Sequence, residues 1–317
     1  MSDANRFPKL RRCRVIPGAL FVTAAVLLAC GLNGCGKGGE KKAGGASSSG
    51  TTTVQVKGSD TMVNLAQAWA EEYKKVEPAI DVEVSGGGSG VGIAALTKGA
   101  VDIANASRNM KLQEIEDAKK NTGKEPKEFV VGHDALAIFV HKDNPMSTIT
   151  LEQIAQIYEE GGKITKWSEL GVKLPSGQDE IIRVSRQSSS GTYEFLREHV
   201  LKNKDFKLGS RDLNGSKEVV ELVSNTPGAI GYSGMGYATP SVKMLKVSEK
   251  AGAPAVPPSV EATQNRTYPI ARSLLLYTLG EPQGAVKKYI DWILTDAGQK
   301  IVEQTGYVPV FASERAK

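Results

Sequence analysis

Most of this sequence lacks cysteine. The chain has 317 residues and three cysteines, Cys13, Cys30 and Cys35, all near the amino terminus. From residue 36 onward a disulfide framework, a structural thiolate zinc site and a cysteine nucleophile are therefore excluded.

Histidine is scarce too, and the common catalytic motifs are missing. The three histidines, His133, His141 and His199, are isolated, without H-E-x-x-H spacing. No G-x-S-x-G elbow and no Walker A motif occurs. We therefore expect no metal, no cofactor and no catalytic residue, and a structural role for each histidine.

The part of the chain after residue 50 has no strong excess of either charge. The formal net charge of +5 comes from residues 1–50, which hold eight basic residues against two acidic ones and leave 32 against 33 for the remainder. A nearly neutral domain does not attract a polyanion, so we expect no nucleic-acid partner.

The amino-terminal leader has the layout of an export signal. A basic "RRCR" precedes an apolar run at 15–29 that is too short to span a bilayer comfortably. Cys30 follows directly, and "LLAC" resembles a bacterial lipobox, in which the cysteine is lipidated after cleavage. Cys35, after the polar Asn33, is the alternative lipidation residue. We predict a lipoprotein signal peptide at 1–29 and a lipid anchor on a bacterial membrane, periplasmic or at the cell surface. An ordinary cleaved signal or an uncleaved anchor is the other possibility, and both also imply export.

A flexible tether follows the leader. Residues 36–52 consist largely of Gly, Ser, Lys and Ala without a large apolar side chain, which is typical of a linker. We place the tether at 30–52 and the start of the folded domain near Thr53.

One supersecondary pattern occurs three times in the domain. A predicted strand, a loop of small polar residues and a predicted helix follow one another at 53–76, at 79–99 and at 180–201. Each loop brings a helix N-terminus and several hydroxyls to one place, an arrangement that favours an anion. The hydroxyl residues at these helix entries are Ser59, Thr61, Ser89, Ser190 and Thr192. Arg186 adds a planar, permanently charged fork suited to an oxyanion.

These residues resemble those of the phosphate-binding proteins that serve ABC transporters, within the type II periplasmic binding protein family. The resemblance covers Val54 to about Phe311. The motifs that carry it, in family order, include "GSDTM" (58–62), "GGGSGVG" (86–92), "VDIANASR" (101–108), "SRQSSSGT" (185–192), "PGAIGY" (227–232) and "GYVPV" (306–310).

The resemblance implies which residues contact the anion. These are Thr61, Met62 through its backbone, Ser89, Arg186, Ser190, Gly191 and Thr192. The candidate ligand-binding set is completed by Ser59, Asp60, Ser107 and Arg108.

One candidate position departs from the family pattern. In the best-studied members an aspartate accepts the proton that phosphate keeps and sulfate lacks, and Arg108 stands at that position here. We predict that Asp60 supplies the acceptor instead; a helix N-cap is its alternative role.

The resemblance also implies an α/β fold of the type II kind, with two lobes joined by a two-crossing hinge and the ligand cleft between them. We expect lobe one at 53–135 plus 238–314 and lobe two at 136–237.

The function that the resemblance implies is capture of inorganic phosphate and its delivery to the membrane permease of an ABC transporter. The protein is expected to be monomeric and not an enzyme. Binding of sulfate or molybdate is an alternative, and an exported serine hydrolase or phosphatase using Ser89 or Ser190 is another.

Overall fold

The computed structural model describes residues 51–311 and residue 314. The predicted signal peptide at 1–29, nearly all of the predicted tether at 30–52, and the candidate lipidation residues Cys30 and Cys35 lie outside the described residues. No helix in the described ranges is long and apolar enough to cross a membrane.

The described residues alternate between strands and helices. The strands are β1 (Thr52–Gly58), β2 (Ile80–Ser85), β3 (Ile103–Ala106), β4 (Pro126–His141), β5 (Thr148–Thr150), β6 (Ile182–Arg186), β7 (Arg211–Leu213), β8 (Ala229–Gly234), β9 (Val242–Met244), β10 (Lys246–Ser248) and β11 (Ala271–Leu279). The helices are α1 (Val63–Val76), α2 (Ser89–Leu96), α3 (Leu112–Thr122), α4 (Leu151–Tyr158), α5 (Gly191–His199), α6 (Ser216–Ser224), α7 (Val260–Gln264), α8 (Gly284–Ile293) and α9 (Asp296–Gln304).

The three predicted strand–loop–helix units are present as β1–α1, β2–α2 and β6–α5. In α1, Leu65, Trp69 and Tyr73 recur one turn apart and are buried, which is why this segment forms a helix on the sheet. Helix α2 begins at Ser89, so this predicted helix-entry hydroxyl belongs to the first helical residue.

Nine strands form one mixed sheet in the order β2-β1-β3-β11-β4-β8-β6-β7, with β9 also on β4. Strand β1 is parallel to β2 and β3, and β6 is parallel to β7 and β8. Strand β11 is antiparallel to both β3 and β4. The carboxyl ends of β1, β2 and β6 carry the loops that were predicted to bind an anion, and the end of β3 carries Ser107 and Arg108.

Strand β4 lies in the middle of this sheet and belongs to both of its halves. Its residues 126–135 pair with β11, and its residues 136–140 pair with β8. We call β2, β1, β3, β11 and residues 126–135 of β4 the first half of the sheet, and the remaining strands the second half.

Helices cover both faces of the first half, and alternation along β11 shows this directly. Leu274 and Leu276 pack into one core cluster with residues of α1, α8 and α9, whereas Leu275 and Tyr277 pack into another with residues of α2. Successive strand residues point to opposite faces, so both faces of the sheet are buried. A third, larger cluster surrounds the second half and includes Trp167.

The segment after β8 packs on the second half. Strand β9 pairs with residues 139–141 of β4, and Tyr268 and Ile270 lie in the core cluster of the second half. The lobe boundaries stay a prediction. With these contacts, we would place the second passage of the chain between the lobes at the start of β11 rather than at residue 238. There Ala271 pairs with Ala135 of β4, so the two crossings would lie side by side.

Candidate functional site

The loops after β1, β2, β3 and β6 meet in one place. Each follows the carboxyl end of a strand, and ligands of open α/β sheets bind beyond such ends. The predicted residues from these loops are buried together, apart from Asp60, which is partly buried.

Three serines form a hydroxyl cluster in the first half. Ser59 Oγ donates to Ser107 Oγ at 3.0 Å, and Ser89 Oγ accepts from the backbone N–H of Ser107 at 3.1 Å. The Oγ atoms of Ser89 and Ser107 are 3.4 Å apart. All three side chains are buried, so their remaining hydrogen-bonding capacity faces the interior of the site.

The start of α5 brings the second half to this cluster. Ser190 caps the helix, and its Oγ accepts from the N–H of Thr192 at 3.2 Å. Thr192 Oγ1 lies 2.8 Å from Thr61 Oγ1 of the first half. The Oγ of Ser190 also accepts from the N–H of Tyr193, so the cap occupies these N–H groups, and the start of α5 contributes the positive end of its dipole to the site.

Gly191 lies where the two halves approach most closely. A Cβ at this position would stand 2.3 Å from Ser89 Oγ and 2.7 Å from Ser107 Oγ. No side chain fits there. This lack of space, rather than a left-handed backbone conformation, explains the glycine between Ser190 and Thr192.

We expect Gly191→Ala to weaken anion binding while the protein still folds. Because the added methyl group overlaps two hydroxyls, it holds the halves apart at a cost of about 1 to 3 kcal/mol. Calorimetric titration would measure the loss, and thermal unfolding would check the fold. Ser188→Ala, at an exposed position in the same loop, is the matched control. Unchanged affinity in Gly191→Ala would show that binding does not need this close approach.

Arg186 is the most deeply buried cation from the predicted set, with 1% of its surface exposed. Its Nη1 donates to Ser216 Oγ at 2.9 Å, and its Nη2 donates to Asn214 O at 2.7 Å and to Asp60 Oδ2 at 3.1 Å. Its Nε is buried and has no hydrogen-bond partner among the described residues. Burial lowers the pKa of Arg186 and the Asp60 carboxylate opposes this shift, but a guanidinium stays charged at neutral pH.

Asp60 joins the loops rather than capping its own helical turn. Its Oδ1 accepts from the N–H of Gly87 in the β2–α2 loop at 2.9 Å, and Oδ2 accepts from Arg186. The Tyr237 hydroxyl donates to the backbone carbonyl of Asp60 at 2.7 Å, and burial raises the pKa of Tyr237 to about 12, so it remains a donor. Since an ionised carboxylate has roughly four acceptor positions, Asp60 retains capacity for a further donor.

Two predicted residues are engaged in other contacts. The N–H of Met62 donates to Ser59 O at 3.0 Å within the turn after β1. Arg108 forms a two-pronged pair with Glu114 at 2.7 and 2.8 Å. Burial opposes the charge on Arg108, but the hydrogen bonds and charge of Glu114 outweigh it and raise the pKa. Their contact with an anion stays a prediction.

The sequence analysis missed a second buried ion pair at the site. Arg272 of β11 lies directly across from Asp134 of β4 and donates to Asp134 Oδ2 through Nε at 3.1 Å and Nη2 at 2.8 Å. A signal was present, because Asp134 directly precedes the apolar run 135–140 and Arg272 lies just before the run 274–276, and buried charges need partners. Their pairing depends on the register of strands far apart in sequence.

The described histidines do not contact the serines of the hydrolase hypothesis. His133 pairs with Glu314, His141 Nδ1 accepts from the N–H of Asp143, and the His199 ring bonds to Phe195 O. Within the described ranges neither Ser89 nor Ser190 has a histidine partner, although a serine nucleophile needs an adjacent base.

Comparison with known proteins agrees with this geometry. A family profile described as a PBP superfamily domain matches residues 44–297. The chain is 35% identical over 270 residues to the phosphate-binding protein PstS of Pseudomonas aeruginosa, covering 82% of this chain and 84% of that protein. It is 31% identical over 300 residues to the phosphate-binding protein PstS of Bacillus subtilis, covering 92% of each.

A solved structure shares the fold. A substrate-binding protein from Clostridium perfringens, crystallised with bound phosphate, superposes with a TM-score of 0.72 at 32% identity, covering 82% of this chain and 100% of that one. The predicted α/β fold of the type II periplasmic binding protein kind is confirmed. The chain therefore belongs to the PBP superfamily and, within it, to the family of the phosphate-binding protein PstS.

Proposed function

We propose that this protein captures inorganic phosphate outside the cytoplasm and delivers it to the membrane permease of an ABC transporter. It acts as a monomeric binding protein, not as an enzyme, and has no nucleic-acid partner. The PstS relatives and the phosphate-bound structure support this assignment at the level of the family.

The observation that carries the proposal is the environment of Arg186. Buried donors are almost always hydrogen-bonded, and an exception calls for an explanation such as a bound ion. The unpartnered Nε of Arg186 lies in a guanidinium that is otherwise held rigidly by Asp60, Ser216 and Asn214. A fixed arginine with a donor to spare is suited to an oxyanion.

The surrounding donors suit a small tetrahedral anion. Hydroxyls of Ser59, Ser89 and Ser107 come from one half of the sheet, and Thr192 with the N-terminus of α5 comes from the other. Donors on two sides can surround an anion, and closure of the halves would exclude water and strengthen each contact. The side chains are small, so the site fits phosphate better than an organic ligand.

Calorimetric titration of the purified protein with phosphate, sulfate and molybdate tests the function. We expect tight, saturable binding of phosphate and much weaker binding of the other two. Tightest binding of sulfate or molybdate would favour the alternative oxyanion. Turnover of a chromogenic phosphate ester would favour the hydrolase, although the lack of a histidine beside Ser89 and Ser190 among the described residues speaks against it.

We also propose that the protein is held at a membrane surface through lipidated Cys30, with residues 30–52 as the spacer. Cys30→Ser is expected to release the protein into the soluble fraction, as fractionation and immunoblotting would show. The variant cannot carry the lipid, and each CH₂ of a lipid chain buried in the membrane contributes about 0.8 kcal/mol of membrane affinity. Cys35→Ser is the matched control. Release by Cys35→Ser alone would move the lipidation to that residue.

A further inference from the structure

Arg272 lies where the two halves of the sheet meet. Its Nη2 donates to Thr61 Oγ1 at 3.3 Å in the first half and to Thr192 Oγ1 at 3.1 Å in the second half. Its Nη1 donates to the backbone carbonyl of Ser107 at 3.3 Å. One guanidinium therefore contacts three of the four loops that form the proposed phosphate site, those after β1, β3 and β6.

Asp134 fixes Arg272 in this position. Its Oδ2 accepts from both Nε and Nη2, and its Oδ1 accepts from the N–H of Met235 at 3.1 Å. Asp134 is fully buried and Arg272 is 6% exposed, so neither side chain can move into water. The Phe195 ring lies 5.5 Å from the guanidinium carbon and covers it.

These contacts set the direction of two hydroxyl protons. A hydroxyl that accepts from Arg272 points its oxygen lone pair at the guanidinium and turns its own proton elsewhere. Thr61 and Thr192 are 2.8 Å apart, so one of the two protons can bridge them, and the other is left to donate into the site. The two hydroxyls come from opposite halves, so this arrangement exists only while the halves are together.

The charge of Arg272 also acts on the site. Burial is the main cause that lowers the pKa of Arg186, and the nearby positive charge of Arg272 adds to it. Each guanidinium has a carboxylate partner, Asp134 for Arg272 and Asp60 for Arg186, so the two ion pairs together are close to neutral.

We propose that Arg272, held by Asp134, is a positioning residue of the phosphate site that orients the hydroxyls of Thr61 and Thr192. This inference rests on the proposed function. Arg272 acts through the threonines and does not itself need to contact the anion.

The experiment compares phosphate titrations of the wild type with those of Arg272→Gln and of the double variant Asp134→Asn, Arg272→Gln. The single variant leaves the Asp134 carboxylate buried without its partner, so it can lose stability for that reason alone. The double variant removes both charges and keeps amide groups that can bond to each other. We expect its thermal stability to be close to that of the wild type and its phosphate affinity to fall about 10- to 100-fold.

Two further variants distinguish a positioning role of Arg272 from a role in stability alone. Arg272→Lys keeps the charge and should recover part of the affinity lost in Arg272→Gln. Arg183→Gln is the control. Arg183 lies on β6 and donates to Leu208 O rather than to these threonines, so this variant should bind like the wild type.

Wild-type affinity in the double variant would overturn the inference and leave the pair a structural one. In that case Arg186 variants would still lose phosphate binding, and the proposed function would stand. Absence of any anion binding by the wild type would overturn the proposed function and this inference with it.

Discussion

Replacing Arg186 by alanine is expected to weaken phosphate binding by about two to four decades. The guanidinium is held by Asp60, Ser216 and Asn214 and is almost fully buried. Its removal takes away the buried charge opposite the anion and leaves the Asp60 carboxylate as an unpaired negative charge in the same site. Loss of one partner from a buried pair costs about 3 to 5 kcal/mol.

Calorimetric titration at fixed ionic strength would measure this effect, with circular dichroism to verify the fold. Arg183→Ala is the matched control, because Arg183 lies three residues earlier on the same strand, β6, and donates to Leu208 O instead. Arg186→Lys should lie between the two, since lysine keeps the charge but loses the planar fork. A folded Arg186→Ala protein that binds phosphate within about threefold of the wild type would remove Arg186 from the site.

Asp60→Asn is expected to relax the discrimination between phosphate and sulfate. The carboxylate accepts from Gly87 and Arg186 and has further acceptor capacity, and Arg108, at the family's acceptor position, forms a pair with Glu114. Without an acceptor the O–H of bound phosphate is left unpaired, at a cost of about 1 to 3 kcal/mol. Sulfate carries no such proton, so phosphate affinity should fall while sulfate affinity holds or rises.

Paired phosphate and sulfate titrations on both proteins give the selectivity directly. Asp179→Asn is the matched control, because Asp179 also accepts from a backbone N–H, that of Ser168 at 2.8 Å, far from the site in the chain. If Asp60→Asn lowers both affinities equally, Asp60 serves only as the counter-ion of Arg186. The proton acceptor would then be another residue.

Local sequence was sufficient for the elements that carry the site. The i, i+4, i+8 spacing of Leu65, Trp69 and Tyr73 predicted α1, since side-chain periodicity and helix geometry are local properties. The Gly-Ser-Thr loops before α1, α2 and α5 were predicted in the same way. Strands β1 and β2 are parallel, so the loops that follow them lie at one edge of the sheet. Strand β6 belongs to the second half, and the approach of its loop to the other two was expected from the family resemblance.

Local sequence patterns did not predict which side chains form hydrogen bonds and ion pairs with each other. Asp60 was predicted as an acceptor or a cap, but its contacts are Gly87 and Arg186, the latter 126 positions away in sequence. Arg108 was placed among the ligand-binding residues by its position in a motif, and its guanidinium pairs with Glu114. Side-chain partners depend on distances between loops, which no spacing in the sequence encodes.

The sequence by itself determined the order of the strand–loop–helix units and the hydroxyl residues at their helix entries, because both follow from hydrophobic periodicity and helix capping. Only the tertiary structure decided that β11 returns beside β4. That pairing places Arg272 opposite Asp134, at the junction of the two halves. The physical reason is that strand register sets cross-strand neighbours over long sequence separations, and a buried charge is stable only where such a neighbour provides its partner.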